Sequence, residues 1–296
     1  MEGRVLFFEG DRAQVSVGGE NKLCQIRGKI KASKNGIMVG DIAKISDGDV
    51  IEEISARKNS LVRPKVANID QIIICVSSEP PADLMLADKL IIASIQNNIE
   101  PIICITKTDI LDNAFEADIK AQYKGIKVKT IAVSAKTQEG LDGLLKLLKN
   151  KTSALAGQSG VGKSSLINAI LSEKIKTQEL VKNSIRGKNT TTASFLYSLD
   201  KNTFIIDTPG FCTLDLEIKN AEEILALYPD IYAFARFCKY KSCNHIEKNS
   251  DECGVARALE EGKINKARLE RFYKYYKTAS GKRKIYSKGK KGKKNV

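Results

Sequence analysis

The sequence predicts a multidomain chain: an N-terminal OB-type β-barrel, a central α/β domain, and a C-terminal, mostly helical domain around a cysteine and histidine cluster. Three observations predict it. Five short alternating segments separated by turn signals occupy the first 65 residues. From about residue 66, nearly continuous apolar runs alternate with helical spacing. Beyond about Ala221 the pattern turns helical, and three of the seven cysteines gather with the only histidine. The boundaries read from these changes are 1–65, 66–215 and 216–280, followed by a basic tail, 281–296.

The barrel segments are Arg4–Glu9, Ala13–Val17, Lys22–Gln25, Asp41–Ile45 and Val50–Ile54. Turn signals such as Glu9-Gly10-Asp11, Gly18-Gly19 and Asp47-Gly48-Asp49 punctuate them. Five strands in this length suit a small closed barrel of a kind that often binds oligonucleotides. Arg27-Gly28-Lys29-Ile30-Lys31, followed by Lys34, lies between two strands and, beside the basic tail, reads as a nucleic-acid contact of an RNA-binding barrel ahead of a merely solvated basic loop.

In the central domain, Ile69–Val76, Pro101–Ile105, Val128–Val133, Ser153–Ala156 and Thr203–Ile206 read as strands. Leu84–Asn97, Ala114–Tyr123, Leu141–Leu148 and a segment from Lys163 read as helices. Strands that are apolar on both faces and alternate with helices predict a parallel sheet covered on both sides. Val255–Tyr276 is helical again.

The 296 residues include 49 Lys or Arg and 35 Asp or Glu, a net charge of +14. From Lys263 onward there are 14 basic residues and one acid, Glu270, so 14 − 1 = +13 of that excess lies in the last stretch. Such density suits an arm that neutralises nucleic-acid phosphates, and Gly281–Val296 has too little to bury to fold when free. A hydrophobic fraction of 42% excludes a wholly disordered chain. No apolar run is long enough to cross a bilayer. No charged-then-apolar leader opens the sequence, which predicts a reduced, cytoplasmic protein whose cysteines are thiols or metal ligands.

Gly157-Gln-Ser-Gly-Val-Gly162-Lys163-Ser164 fits GxxxxGK[ST], a pattern that about one chain in a hundred of this size matches by chance. An apolar strand precedes it and a helix follows. The backbone N–H groups of Gly157, Ser159, Gly160, Val161, Gly162, Lys163, Ser164 and Ser165 are placed to cradle phosphates. Lys163 would reach the β and γ phosphates and Ser164 would ligate Mg²⁺. Asp207-Thr208-Pro209-Gly210 ends a later strand. Its carboxylate would hold Mg²⁺, and the Gly210 N–H would sense the γ-phosphate.

Thr106-Lys107-Thr108-Asp109 follows another strand. A carboxylate there accepts guanine N1–H and the N2 amino group, which adenine does not offer. Ser134-Ala135-Lys136, after the next strand, would present the Ala135 N–H to guanine O6, and Lys107 would lie along the base. These base-reading motifs precede the phosphate loop, the reverse of the ordinary GTPase order. Circular permutation keeps strand contacts and moves only the termini, so the fold survives it. Cys238, Cys243, His245 and Cys253 make a complete tetrahedral set for one structural Zn²⁺. Cys24, Cys75 and Cys104 lie within apolar strands and read as small buried thiols.

With these motifs the chain resembles the circularly permuted GTPases of the RsgA (YjeQ) family. The similarity extends to Ala67-Asn68-Ile69-Asp70-Gln71, Gly157–Asn168, Thr190–Thr192, Asp207–Phe211 and the Cys/His cluster. The resemblance implies a GTP hydrolase that acts late in small ribosomal subunit maturation, binds ribosomal RNA and leaves on hydrolysis. It implies GTP/GDP, Mg²⁺ and one zinc as ligands, no membrane association and a monomer. It also implies a switch segment, Ser184–Thr192, in which Thr191 or Thr192 closes on Mg²⁺. Three departures stand out: Thr106 replaces the usual Asn, the His245–Cys253 spacing is about two residues longer, and Asn189 stands where the family carries a histidine. Two rival readings are an RNA-binding scaffold with a vestigial nucleotide site and a permuted GTPase acting on the large subunit.

Overall fold

The computed structural model describes residues 1–33, 36–62, 64–110, 113–126, 128–177, 194–207, 221–246 and 249–290. Two compact units divide the chain: Met1–Asp112 with Lys129–Asp215, and Asn113–Val128 with Leu216–Val296.

In the first unit, β1 (Glu2–Glu9), β2 (Arg12–Val17), β3 (Glu20–Ile26), β4 (Ile42–Ile45) and β5 (Val50–Ile54) close a barrel in the order β1-β2-β3-β5-β4. Alternation puts Val5, Val15, Cys24, Ala43 and Ile51 inside, all fully buried. The expected basic loop after β3 is a correction: Gly28–Lys31 forms one helical turn, α1, and Ile30 plugs the barrel interior. One apolar residue with a place to be buried was enough to order it. Asp41 is fully buried and takes two hydrogen bonds from Arg57, at 2.6 and 2.8 Å, plus one from the Met38 N–H at 2.8 Å.

Barrel and sheet are joined through Asn68–Gln71, after the two-residue strands β6 (Ser60–Leu61) and β7 (Val66–Ala67). Asn68 donates to the Gly40 carbonyl and accepts from the Lys58 N–H. The Asp70 carboxylate accepts from the Thr152 N–H at 2.7 Å and from the Lys58 ammonium. Gln71 is buried and donates to Ser153 and the Leu147 carbonyl. Arg4 of β1 donates to Thr152 Oγ1 at 3.2 Å and lies over the Phe204 ring.

The sheet contains β8 (Gln71–Val76), β9 (Glu100–Thr106), β10 (Lys129–Val133), β11 (Thr152–Ala156), β12 (Phe195–Ser198) and β13 (Phe204–Asp207), in the order β10-β9-β8-β11-β13-β12. All neighbours are parallel except β12, an antiparallel edge that the sequence reading missed. Its four residues are too few for a clear alternation. β8 and β11 are buried along their whole length, as two-sided cover requires. The helices α2 (Leu84–Gln96), α4 (Leu141–Leu148) and α5 (Lys163–Thr177) belong to this unit.

The second unit contains α3 (Asn113–Tyr123), α6 (Ala221–Ala226), α7 (Pro229–Ala235), α8 (Gly254–Glu260) and α9 (Lys266–Lys290). Two expectations are corrected here. α3 groups with the C-terminal helices rather than with the rest of 66–215. Arg268 explains why: its guanidinium is almost fully buried, lies 5.1 Å from the Tyr123 ring centroid and 4.7 Å from that of Tyr228, and donates to Asp230 at 2.6 Å. Arg271 adds a bond to Gln122 at 2.7 Å. The second correction is that α9 continues to Lys290, ten residues into the stretch expected to be a tail. Lys and Arg are good helix formers, so a composition that argues against packing does not argue against a helix. Gly262, at φ +67°, breaks the expected helix Val255–Tyr276 into α8 and α9.

Candidate nucleotide and metal sites

The sequence-predicted nucleotide residues converge on one end of the sheet. Chain order runs outward from β8 through β9 to β10, then resumes on the other side with β11 and β13. The reversal lies between β8 and β11, and ligands of open parallel sheets bind at the carboxyl ends of strands at such a point. The carboxyl ends of β9, β10, β11 and β13, with the turns that follow the first three, carry Thr106–Asp109, Ser134–Lys136, Gly157–Ser164 and Asp207 respectively.

The phosphate loop has left-handed glycines at 157, 160 and 162. Gly157 is demanded by space as well: a Cβ there would lie 2.4 Å from the Cys75 carbonyl oxygen. Val161 is buried and anchors the loop, while Ser159, Gly160, Ser164 and Ser165 are exposed. Lys163 Nζ donates to the carbonyls of Gly157 and Gln158, at 2.8 and 2.7 Å, which holds its charge over the loop. Asp207 at the end of β13 is half-buried. Burial pushes its carboxyl above the usual range, and the positive charge of Lys163 opposes the rise. A carboxylate and a serine hydroxyl such as those of Asp207 and Ser164 are the kind of oxygen donors that Mg²⁺ takes in such sites.

Thr106 does more than fill the position usually held by Asn. It is 97% buried, and its hydroxyl oxygen lies 2.5 Å from the Val161 carbonyl oxygen and 3.1 Å from that of Val76. Its one proton serves the nearer acceptor and so ties the base-reading segment to the phosphate loop. Lys107 has φ +60° and donates to the Glu79 carbonyl at 2.7 Å; its stem runs 3.7 Å from where a Cβ on Gly162 would stand. Asp109 Oδ1 accepts from the Ser134 hydroxyl at 2.7 Å. That bond, ahead of weaker help from Lys136 and Lys107, holds the Asp109 carboxyl below its ordinary value. Ser134 is fully buried and accepts from the N–H groups of Lys136 and Thr137. The bond from Ser134 to Asp109 joins the two motifs, and Asp109 Oδ2 lies 4.0 Å from Lys136 Nζ.

Asn189, Thr190, Thr191, Thr192 and Gly210 lie outside the described residues. Sequence reasoning missed Glu79, Asp83 and Gln158. Glu79 acts through its carbonyl, and the Asp83 N–H donates to Gln158 Oε1 at 3.1 Å. Backbone contacts carry no residue-type signal.

In the second unit the donor atoms of Cys238, Cys243, His245 and Cys253 all lie within 4.8 Å of one another. Cys238 Sγ is 3.4 Å from His245 Nδ1 and 3.8 Å from Cys253 Sγ, and Cys253 Sγ is 3.8 Å from His245 Nδ1. A tetrahedral zinc with Zn–S near 2.3 Å spaces sulfurs about 3.8 Å apart. The set therefore fits the ion, and the longer loop before Cys253 does not exclude that ligand. Burial first, and then the other cysteines, push the Cys253 thiol up to about 11. His245 has φ +61°, and its carbonyl accepts from Tyr273 of α9 at 2.7 Å. At Gly254 a Cβ would lie 2.4 Å from the Phe234 carbonyl oxygen, so only glycine lets α8 meet α7 this closely.

Fold and site together define a circularly permuted P-loop GTPase, with base-reading loops ahead of the phosphate loop in the chain and beside it in space. The chain belongs to the RsgA GTPase family, whose family model matches residues 54–217. A "Small ribosomal subunit biogenesis GTPase RsgA" of Caldanaerobacter subterraneus subsp. tengcongensis is 39% identical over 252 residues, covering 83% of this chain and 84% of that one. One of the same description from Thermotoga neapolitana is 37% identical and covers 95% and 98%. Among solved structures, YjeQ from Thermotoga maritima is similar with a TM-score of 0.76 at 33% identity, covering 94% of this chain and 98% of that one. YloQ, described as a circularly permuted GTPase, matches with a TM-score of 0.71 at 28% identity and covers 94% of each chain.

Proposed function

We propose that this GTPase is a late maturation factor of the small ribosomal subunit that binds subunit rRNA in its GTP state and leaves after hydrolysis. The observation that carries the reading is the junction of Thr106, Asp109, Ser134 and the phosphate loop into one guanine-nucleotide site. The description shared by full-length relatives supports its direction toward the small subunit. The protein acts in the cytoplasm as a monomer. Among the described residues no helix is long and apolar enough to cross a membrane.

The residues divide the chemistry. Asp109 accepts two donors from guanine, and the Ala135 N–H reads its O6. Lys163 gives up its loop carbonyls for the β and γ phosphates. Ser164, Asp207 and Thr191 or Thr192 would hold Mg²⁺, which when bound would supply positive charge to the phosphates. Zinc on Cys238, Cys243, His245 and Cys253 is structural, because four protein ligands leave no open position.

No side chain suited to polarising water follows Gly210: the next residue is Phe211, and Asn189 cannot act as a base near neutral pH. Hydrolysis by the protein alone is therefore slow, nearer roughly 10⁻⁴ s⁻¹ than the roughly 10⁻² s⁻¹ of an enzyme with its own arginine in cis. The small subunit raises it by ordering the switch segments or adding a group. Single-turnover assays with and without purified small subunits test this, alongside co-sedimentation with separated subunits in GDP and a non-hydrolysable GTP analogue. Fast hydrolysis unchanged by subunits, or retention on the large subunit alone, overturns the reading. Asn189→His should raise the stimulated rate.

A further inference from the structure

Three large aromatic side chains are more than half exposed among the described residues: Tyr232 (57%), Phe237 (52%) and Tyr240 (51%). All three fall within nine residues on and just after α7, and Phe237 and Tyr240 bracket the zinc-site residue Cys238. Of the other aromatics, those outside the stretches 208–222 and 279–296 are buried or partly buried. Exposed aromatics gathered in one short segment mark an interaction site, whereas single exposed apolar residues are ordinary.

The rings stand on a fixed backbone. The N–H groups of Phe237, Cys238, Lys239 and Cys243 donate to the carbonyls of Phe234, Ala235, Glu252 and Tyr240, at 3.0, 3.2, 2.9 and 3.1 Å. Gly254 packs against Phe237, where an added Cβ would come within 2.8 Å of the Phe237 Cβ. The main chain is thus held from beneath while the rings project.

Cations accompany the rings. The Arg236 guanidinium lies 4.7 Å from the Phe237 ring centroid and Lys239 Nζ 5.5 Å from that of Tyr240. Residues 232–243 contain Arg236, Lys239 and Lys241 and no acid. One carboxylate reaches the patch from outside it: Glu252 accepts from the Tyr240 hydroxyl at 3.4 Å and lies 4.0 Å from Lys239 Nζ. Aromatic faces beside Lys and Arg are what unpaired nucleotides need, since bases stack on the rings and the phosphates between them meet the cations. A duplex hides its base faces. A protein partner would also bury exposed aromatics, but three cations without an acid in twelve residues favour a polyanion.

We propose that residues 232–243 form a stacking platform for unpaired nucleotides of single-stranded RNA, with Phe237 and Tyr240 under bases and Arg236, Lys239 and Lys241 against phosphates. The proposal rests on the reading above that the partner contains rRNA, and it specifies the state in which that RNA is bound.

The chain has no tryptophan, so Phe237→Trp installs a single indole at the platform. The full-length, zinc-loaded variant is titrated with an unstructured RNA oligonucleotide and with the same strand annealed to its complement. Quenching by the single strand and little by the duplex is expected. Phe237→Leu and Tyr240→Leu should each weaken single-strand binding roughly five- to a hundred-fold, with zinc content, duplex binding and GTP turnover unchanged. An unquenched indole, or Leu variants that bind as the parent does, overturns the proposal. Quenching by isolated small-subunit proteins but not by protein-free RNA also overturns it and makes the segment a protein-docking face. Co-sedimentation of the parent protein with small subunits separates the two readings: binding there with no indole response removes the platform and leaves the function. Quenching without co-sedimentation does the reverse.

Discussion

The nucleotide end of the sheet and the cysteine–histidine unit are organised by different forces. In the first, the strands beneath the site are continuous apolar runs, and β8 and β11 are buried at every residue. The polar groups are then placed by backbone geometry and a few short bonds, such as Thr106 to Val161 and Ser134 to Asp109. In the second, the segment from Arg236 to Asn244 has no buried residue, and two arginines, Arg268 and Arg271, are themselves buried. Apolar burial supports the nucleotide end of the sheet, whereas in the second unit an apolar core that includes Ile231, Val255 and Phe272 is joined by buried charge pairs and leaves the Arg236–Asn244 segment to the cysteine–histidine cluster. Single substitutions should therefore act locally in the sheet and more globally in the helical unit.

The largest effect should come from the cluster. Metal binding energy there is also folding energy, on the order of 10 kcal/mol for a structural zinc site. Cys243→Ser or His245→Ala should abolish stoichiometric zinc and melt the region around 221–276, while GTP binding largely survives. Elemental analysis and separate thermal transitions check this. Protein purified without chelator that holds no zinc would falsify the assignment.

Next in size is the buried pair. Asp230→Ala leaves the Arg268 guanidinium, 2% exposed, without its carboxylate, and breaking such a pair costs about 3–5 kcal/mol. Denaturant unfolding should show this loss in the helical unit. If Asp230→Ala and Arg268→Met together prove as stable as the parent, the pair specifies geometry rather than stability.

In the sheet the effects should be smaller and confined to the ligand. Asp109→Asn replaces an acceptor with a donor, which suits the C2 carbonyl of xanthine. A mismatch of this kind costs about 1–3 kcal/mol or more, so GTP affinity should fall at least tenfold while XTP binding appears. Unchanged GTP affinity would remove the base-reading role. Thr106→Val strips the donor from the Val161 carbonyl and should weaken nucleotide binding by up to about tenfold, whereas Thr106→Ser should retain most of it.

The smallest effect lies at the start of β9. Lys129 and Lys151 each donate to Glu100 at 2.8 Å and hold its carboxyl below the ordinary value. A carboxyl depressed in the folded state adds stability above its unfolded value, near pH 4.5, and loses it as pH falls through the folded one. Glu100 is partly exposed and solvent screens the pair, so Glu100→Gln should cost less than about 1 kcal/mol at pH 7. The difference should shrink as the pH falls below about 4.5 and vanish once the folded-state carboxyl is protonated.

The elements that were legible in the sequence share a cause. β8 and β9 are apolar along most of their length, and α4 begins and ends at its expected residues, because local pattern and tertiary environment agree there. The phosphate-loop and Asp109 motifs could be picked out because such motifs need particular residue types at fixed spacing, and the structure brings them to the same end of the sheet. β12 and α1 were not, being too short for period to show. The grouping of α3 with the C-terminal helices was equally hidden, since it depends on Arg268 and Arg271 meeting Tyr123 and Gln122 across about 150 residues of chain.

By itself the sequence determined the order of the domains, the permuted order of the motifs and the four metal donors, all carried by local spacing or by residue chemistry. Tertiary structure alone decided that Thr106 closes on the phosphate loop and that Ser134 aims Asp109. It also decided that three thiols and an imidazole between residues 238 and 253 stand within 4.8 Å. The first two facts are distances between residues far apart in the chain. Such distances follow from which strands become neighbours when apolar faces are buried, a choice that no single stretch of sequence records.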